Sequence, residues 1–286
     1  MAGEVRPVQH KPTDLRSTRS FDGACLEYES IGSGMPVVML HGVLANRQAF
    51  SRQFAAFSER FRLIIPSARG HDASDMKLPR NYGAGSSDVE DLCAVLEAEH
   101  AKRVQLVAHS SGGATAFMFA LRYPERVHRM VLIEPSLFGI LLPAARELHL
   151  PPFERILAAA TSKGPIVSLS ETLALAGDSW AKLDGAERAS RMDALLPMAP
   201  LLGPHLRGLL ELKVTEDDVC KLSPPAMLFY GTASHPIHEA IAHRFRDLRP
   251  DLPLNTLEGA GHNVHRDRAD RFNAISLPFL TAPTAV

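Results

Sequence analysis

Short apolar runs separated by longer mixed stretches dominate the first half of the chain. Pro36-Val37-Val38-Met39-Leu40, Phe61-Arg62-Leu63-Ile64-Ile65-Pro66, the run Val104, Leu106 and Val107, and Arg129-Met130-Val131-Leu132-Ile133 are too short for amphipathic helices. Their nearly continuous apolar character predicts strands buried on both faces. Residues 21–31 alternate more loosely and contain Asp22-Gly23, a hairpin signal, so they predict an antiparallel edge strand opening the sheet. Between the runs the spacing turns helical. Asn46 is placed to cap a helix reaching about Phe57. Residues 86–99 put Val89, Leu92, Val95 and Leu96 on one face, with Asp88 and Glu90 in the first turn. A third helix follows residue 113 and closes at Tyr123-Pro124. Strand, helix, strand, helix, strand with short connections predicts an α/β fold, a mostly parallel twisted sheet with helices on both faces.

The pattern changes at about Ser136. As far as Leu222 no run has strand character, and the stretch is rich in Leu, Ala, Pro and Arg. Leu137, Phe138, Leu141, Leu142, Phe153, Ile156 and Leu157 give helical faces broken at Pro143, Pro151-Pro152, Pro197 and Pro200. A helical cap inserted between two sheet strands is expected here. Ala226-Met227-Leu228-Phe229-Tyr230-Gly231 restores the strand pattern. A helix at about 237–246, a strand at 254–258, Gly259-Ala260-Gly261-His262 and a terminal helix at about 266–280 complete the chain. The expected organisation is a frayed N-terminal arm at 1–20, a core of 21–135 and 223–286, and the cap at 136–222.

Composition narrows the classes of function. The 286 residues suffice for one large α/β domain, with 45% hydrophobic content and a formal net charge of -1. With a pI near 6.9 there is no electrostatic reason to expect nucleic acid or an anionic membrane as a partner. Cys25, Cys93 and Cys220 are odd in number, far apart and without metal spacing, which favours a reducing compartment. The first twenty residues hold no apolar core of a signal peptide, and no uncharged apolar run reaches transmembrane length. A soluble, cytoplasmic protein is expected; its oligomeric state is not legible.

Candidate chemistry centres on Val104–Gly113, reading VQLVAHSSGG. An apolar strand, a tight turn with Ser110 at its apex, and an Ala-rich helix describe a nucleophile elbow, which presents a serine hydroxyl at the carboxyl end of a sheet. Small residues are needed two positions either side; Ala108 and Gly112 occupy them, Ala108 departing from the usual G-x-S-x-G. A serine hydroxyl needs a base, and the base an orienting partner. His262 follows a strand and a glycine-rich loop at that same edge. An oxyanion would be met by the backbone N–H groups of Ser111, at the helix start, and Val43, in the loop after the 36–40 strand. The pairs His262/His265 and His235/His238 have HxxH spacing, but without a third ligand they are expected to be surface residues, and no metal is expected.

His41-Gly42, Arg69-Gly70-His71, His109-Ser110-Ser111-Gly112-Gly113 and Gly259-Ala260-Gly261-His262 together resemble the α/β-hydrolase superfamily, over about residues 21–280. That resemblance implies the chain order nucleophile, acid, histidine. Most members carry the acid shortly after the strand that follows the cap. Here that turn reads Gly231-Thr232-Ala233-Ser234-His235, with no carboxylate before Glu239. Some members take the acid from the strand after the elbow helix, and Glu134 ends that strand. The zearalenone lactonases are locally similar, with a Ser-Ser-Gly elbow, Tyr123–Arg126, the Glu134-Pro135 pair and the carboxylate-free turn at 231–233. The resemblance implies a cofactor-independent serine hydrolase of a small hydrophobic ester or lactone, using Ser110, His262 and Glu134. An apolar cap over a polar site excludes water and favours apolar substrates, with Leu44, Leu137 and Trp180 as candidate substrate contacts. The competing readings are a ligand-binding or signalling protein on the same fold, and a carbon–carbon bond hydrolase or cofactor-free peroxidase.

Overall fold

A computed structural model describes residues 14–80, 82–175 and 183–283. Among them an eight-stranded sheet runs in the order β1-β2-β4-β3-β5-β6-β7-β8. Its strands are β1 (Leu15–Arg19), β2 (Cys25–Gly32), β3 (Pro36–Leu40), β4 (Arg62–Pro66), β5 (Val104–His109), β6 (Val127–Ile133), β7 (Ala226–Gly231) and β8 (Leu254–Leu257). β2 pairs antiparallel with β1 and β4, and all other neighbours are parallel. The predicted strands all form, but β2, expected at the edge, is internal, because β1 pairs along its outer side. The buried runs owe their continuous apolarity to having a core on each side. Val38, Leu40, Met130, Leu132, Ala226 and Leu228 face one core, and Val37, Met39, Val131, Ile133, Met227 and Phe229 the other. The second core is closed by α1 (Ser51–Ser58) and the terminal helix Ala269–Thr281, the first by α2 (Ser87–Ala98), α3 (Ser111–Arg122) and the helix Pro236–Leu248.

β3 is flanked by β4 and β5, so successive crossovers leave it in opposite directions. Such a switch point opens a crevice at the carboxyl ends of the strands. The loop after β3 and the turn after β5 both end there.

Two boundaries differ from expectation. Leu15–Arg19 is a strand, although the sequence placed it in a frayed arm. Four of its five residues are exposed, so no hydrophobic pattern announces it. It is held by ladder hydrogen bonds to β2 and by ion pairs such as Arg16–Glu99 at 2.8 Å. Charged, short edge strands of this kind also resist unwanted pairing. The terminal helix begins later than predicted, after a separate turn of helix at Val264–Asp267. The Asn46 cap is present, its side chain accepting from Gln48 N–H at 3.1 Å, but the first turn is 3-10.

Between β6 and β7 the described residues are helical or irregular. The helices include Pro143–His149, Pro151–Ser162, Pro165–Ala174, Gly185–Leu195 and Leu202–Leu210. They pack in two places. Phe138, Ile156, Leu206 and Leu209 join the first sheet core, while Leu169, Leu173, Ala199 and Leu202 form a smaller core against Val43 and Leu44. The inserted helices therefore rest directly on the loop after β3. No helix among the described residues is long and apolar enough to cross a membrane.

Histidines are unusually prominent in the interior. His41, His71, His109, His205, His238 and His265 are all buried, so the expectation that His238 and His265 lie on the surface is overturned. The helix Pro236–Leu248 turns His238 inward, and the turn Val264–Asp267 carries His265 against Phe50, with ring centroids 4.7 Å apart. Burial disfavours the imidazolium and pushes all six pKa values down, to about 3 for His41 and His265. These rings are neutral in the folded chain, but in the unfolded chain they take up protons below about pH 6.5. Stability is therefore present above that pH and is lost progressively as pH falls toward the folded-state values. Urea unfolding at pH 5.5 is expected to give a stability lower than at pH 7.5, by about 1 kcal/mol for each of His41 and His265. His265→Gln should reduce this pH dependence; an unchanged difference would show that His265 is not buried neutral.

Candidate active site

The turn between β5 and α3 is strained at Ser110, whose φ is 55° and ψ -119°. A non-glycine residue holds this conformation only where its surroundings impose it. Ser110 N–H donates to Ile133 O at 3.0 Å, and Ser136 N–H donates to Ser110 O at 3.1 Å, tying the turn to the end of β6. Close approach explains the small residues. A Cβ on Gly112 would lie 2.5 Å from Leu40 O and 2.6 Å from His41 O, and one on Gly42 would lie 2.9 Å from Ser110 Cβ. The loop after β3 thus presses against the elbow from one side. Ala108, the departure from the usual pattern, is fully buried in β5 and its methyl group is accommodated.

Glu134 ends β6 with a positive φ of 43°, which turns its side chain out of the strand path at the same edge. Its carboxylate is almost wholly buried, at 1% exposure. Burying a carboxylate is costly unless it is well hydrogen-bonded. Three donors meet it: Gly231 N–H at 2.9 Å, the Ser234 hydroxyl at 2.7 Å, and His262 Nδ1–H at 2.5 Å. The structure therefore brings Glu134 and His262 together across strands β6, β7 and β8. Ser234 stands where the family usually has an acid. It contributes a hydroxyl that holds the acid supplied by the neighbouring strand, a role the sequence reading did not give it.

Two further histidines frame His262. His238 stacks on it with ring centroids 4.4 Å apart and an interplanar angle of 22°, and its Nε2 lies 3.8 Å from Glu134. His109 Nε2–H donates to His262 O at 2.9 Å. Burial and neighbouring imidazoles push the pKa of both well down, so both are neutral partners. The ligand atoms of Glu134, His238 and His262 lie within 4.8 Å of one another, close enough to converge on a cation. A cation there would have to displace the hydrogen bond between Glu134 and His262.

Ser110 and His262 line one cavity of about 530 Å³. The Ser110 hydroxyl lies 3.4 Å from that of Ser136 and makes no hydrogen bond to His262 among the described residues. Such contacts are often open without substrate and tighten when it binds. Val43 and Leu44 also line this cavity, and so do Phe138, Phe153 and Leu173. Ser111 opens α3, where N–H groups lack helical acceptors, but it borders a separate cavity of about 60 Å³ behind the turn. Leu137, expected to touch substrate, does not line this cavity: it is fully buried in the first sheet core, because the chain turns inward immediately after β6. Trp180 lies outside the described residues. Periodicity could not have found His238, His109, Ser136 or Ser234, since each acts through a contact between distant segments.

Known proteins share this architecture. The chain is similar to an uncharacterised protein of Mycobacterium tuberculosis, Rv2715, at 27% identity over 94% of this chain and 82% of that one. It is equally 27% identical to the sn-1-specific diacylglycerol lipase ABHD11 of Xenopus laevis, over 93% of this chain and 87% of that one. Among solved structures, the esterase RhEst1 from Rhodococcus sp. ECU1013 superposes with a TM-score of 0.69 at 22% identity, covering 94% of this chain and 99% of the other. A family model described as the alpha/beta hydrolase fold matches residues 35–269. With its mostly parallel sheet, crossover pattern and strained serine turn, the chain belongs to the α/β-hydrolase family.

Proposed function

We propose that this protein is a cofactor-independent serine hydrolase that cleaves a small hydrophobic carboxylic ester or lactone through an acyl-enzyme. The observation that carries the reading is the 2.5 Å hydrogen bond from His262 Nδ1 to Glu134, with His262 lining the cavity that also holds the strained Ser110. With Nδ1 engaged, Nε2 of His262 is the nitrogen free to serve as base. Ser110 Oγ attacks the carbonyl carbon and its proton passes to His262 Nε2. Backbone N–H groups of Val43 and Ser111 receive the oxyanion. The tetrahedral intermediate collapses, and His262 returns the proton to the leaving alkoxide, which in a lactone stays attached to the acyl chain. A water molecule, deprotonated by His262, then attacks the acyl carbonyl; the second tetrahedral intermediate collapses, His262 returns the proton to Ser110 Oγ, and the acid is released. Glu134 stabilises the imidazolium formed in each half.

The helices between β6 and β7 act in this reading as the cap expected for residues 136–222. Their apolar side chains, Phe138, Phe153 and Leu173 among them, supply a water-excluding surface for the substrate. The esterase and lipase names of the relatives agree with ester chemistry.

Hydrolysis of p-nitrophenyl esters tests the assignment. Ser110→Ala should lower kcat by roughly 10⁴-fold or more, and Glu134→Gln by about 10³-fold. Full activity in Glu134→Gln would remove the acid from the scheme. Ser234→Ala deletes one hydrogen bond to a buried carboxylate, worth about 1–2 kcal/mol, and should lower kcat about tenfold in a folded protein. Activity equal to that of the parent chain would show that the Ser234 hydroxyl does not support Glu134.

A further inference from the structure

The cavity around Ser110 is not uniformly apolar. Two arginines, Arg191 and Arg266, line it, and no aspartate or glutamate does among the described lining residues. Arg191 comes from the helix Gly185–Leu195, and Arg266 from the turn Val264–Asp267 that follows His262. Both residues are exposed as well as cavity-lining, which puts them at the mouth. Neither guanidinium has a carboxylate within ion-pair distance among the described residues. Two arginines elsewhere in the fold are matched: Arg47 meets Glu27, Glu29 and Asp72, and Arg69 meets Asp22 and Asp91. Asn263, with its amide, lines the cavity beside Arg266.

Resting on the ester-hydrolase reading above, we propose that the substrate is an amphiphilic anion. It is an ester or lactone whose apolar part lies against Phe138, Phe153 and Leu173, and whose free carboxylate is held by Arg191 and Arg266 at the cavity mouth. The electrostatics agree with this. Burial and the nearby positive charges of Arg191 and Arg52 lower the pKa of Arg266, while Asp267 acts in the opposite direction. Asp267 is itself directed to Gly261 N–H, at 2.9 Å. Like charges facing one opening repel, and a carboxylate between them relieves that repulsion while accepting charge-assisted hydrogen bonds.

p-Nitrophenyl hexanoate and p-nitrophenyl hydrogen adipate test this, since they share a chain length and differ in a terminal methyl or carboxylate. The ratio of their kcat/KM values should favour the adipate by roughly tenfold, the scale of one charge-assisted hydrogen bond, and should fall as salt is raised. The double variant Arg191→Gln/Arg266→Gln should lower that ratio by roughly tenfold. Arg266→Lys should keep more of the preference than Arg266→Gln. Preference for the hexanoate in the unmodified protein, or an unchanged ratio in the folded double variant, would overturn the proposal. Labelling of Ser110 by a fluorophosphonate separates the two ideas. A labelled protein without charge preference leaves the serine-hydrolase reading standing and rejects the anionic substrate. An unlabelled protein rejects both.

Discussion

The hydrogen bond between the Glu134 carboxylate and His262 Nδ1 makes demands on much of the molecule. A carboxylate with 1% exposure needs donors on each oxygen, and they come from Gly231, Ser234 and His262. These lie on the ends of β7 and on the loops after β7 and β8, so three successive strands must end at one level. The parallel registers of β6 with β7 and of β7 with β8 achieve this. The positive φ of Glu134 is the local conformational cost, and the hydrogen bonds offset it.

Ser110 is brought to the same place by a different set of constraints. Its strained turn is clamped between the loop after β3 and the end of β6, through Gly42, Gly112 and the backbone bonds to Ile133 and Ser136. The topological switch at β3 leaves the crevice into which the serine points. The inserted helices close over it by packing on Val43 and Leu44, so one loop both faces the serine and supports the helices above it. Two neutral histidines flank His262, His238 stacked on its ring and His109 tilted against it. They give it a rigid environment without adding a competing charge. The charged side chains that line the cavity, Arg191 and Arg266, lie at its mouth, where solvent reaches them.

What the sequence determined by itself is local. Strands β3 to β7 were legible because a strand buried on both faces is apolar over nearly its whole length, and β2 through its alternation and the Asp22-Gly23 hairpin signal. The elbow was legible because strand, small-residue turn and helix are contiguous in the chain. Glu134 became a candidate because the turn at 231–235 lacks a carboxylate, an absence that sequence alone displays. The edge strand Leu15–Arg19 was not legible, since its stability comes from backbone pairing and ion pairs rather than burial. Only the tertiary structure decided which side chains meet: that Ser234 holds Glu134, that His238 stacks on His262, that Leu137 turns into the core, and that two arginines face one cavity without an acid. The physical reason is that hydrophobic periodicity reports how far a residue is from water, whereas hydrogen bonds and charge balance depend on partners that folding gathers from distant parts of the chain.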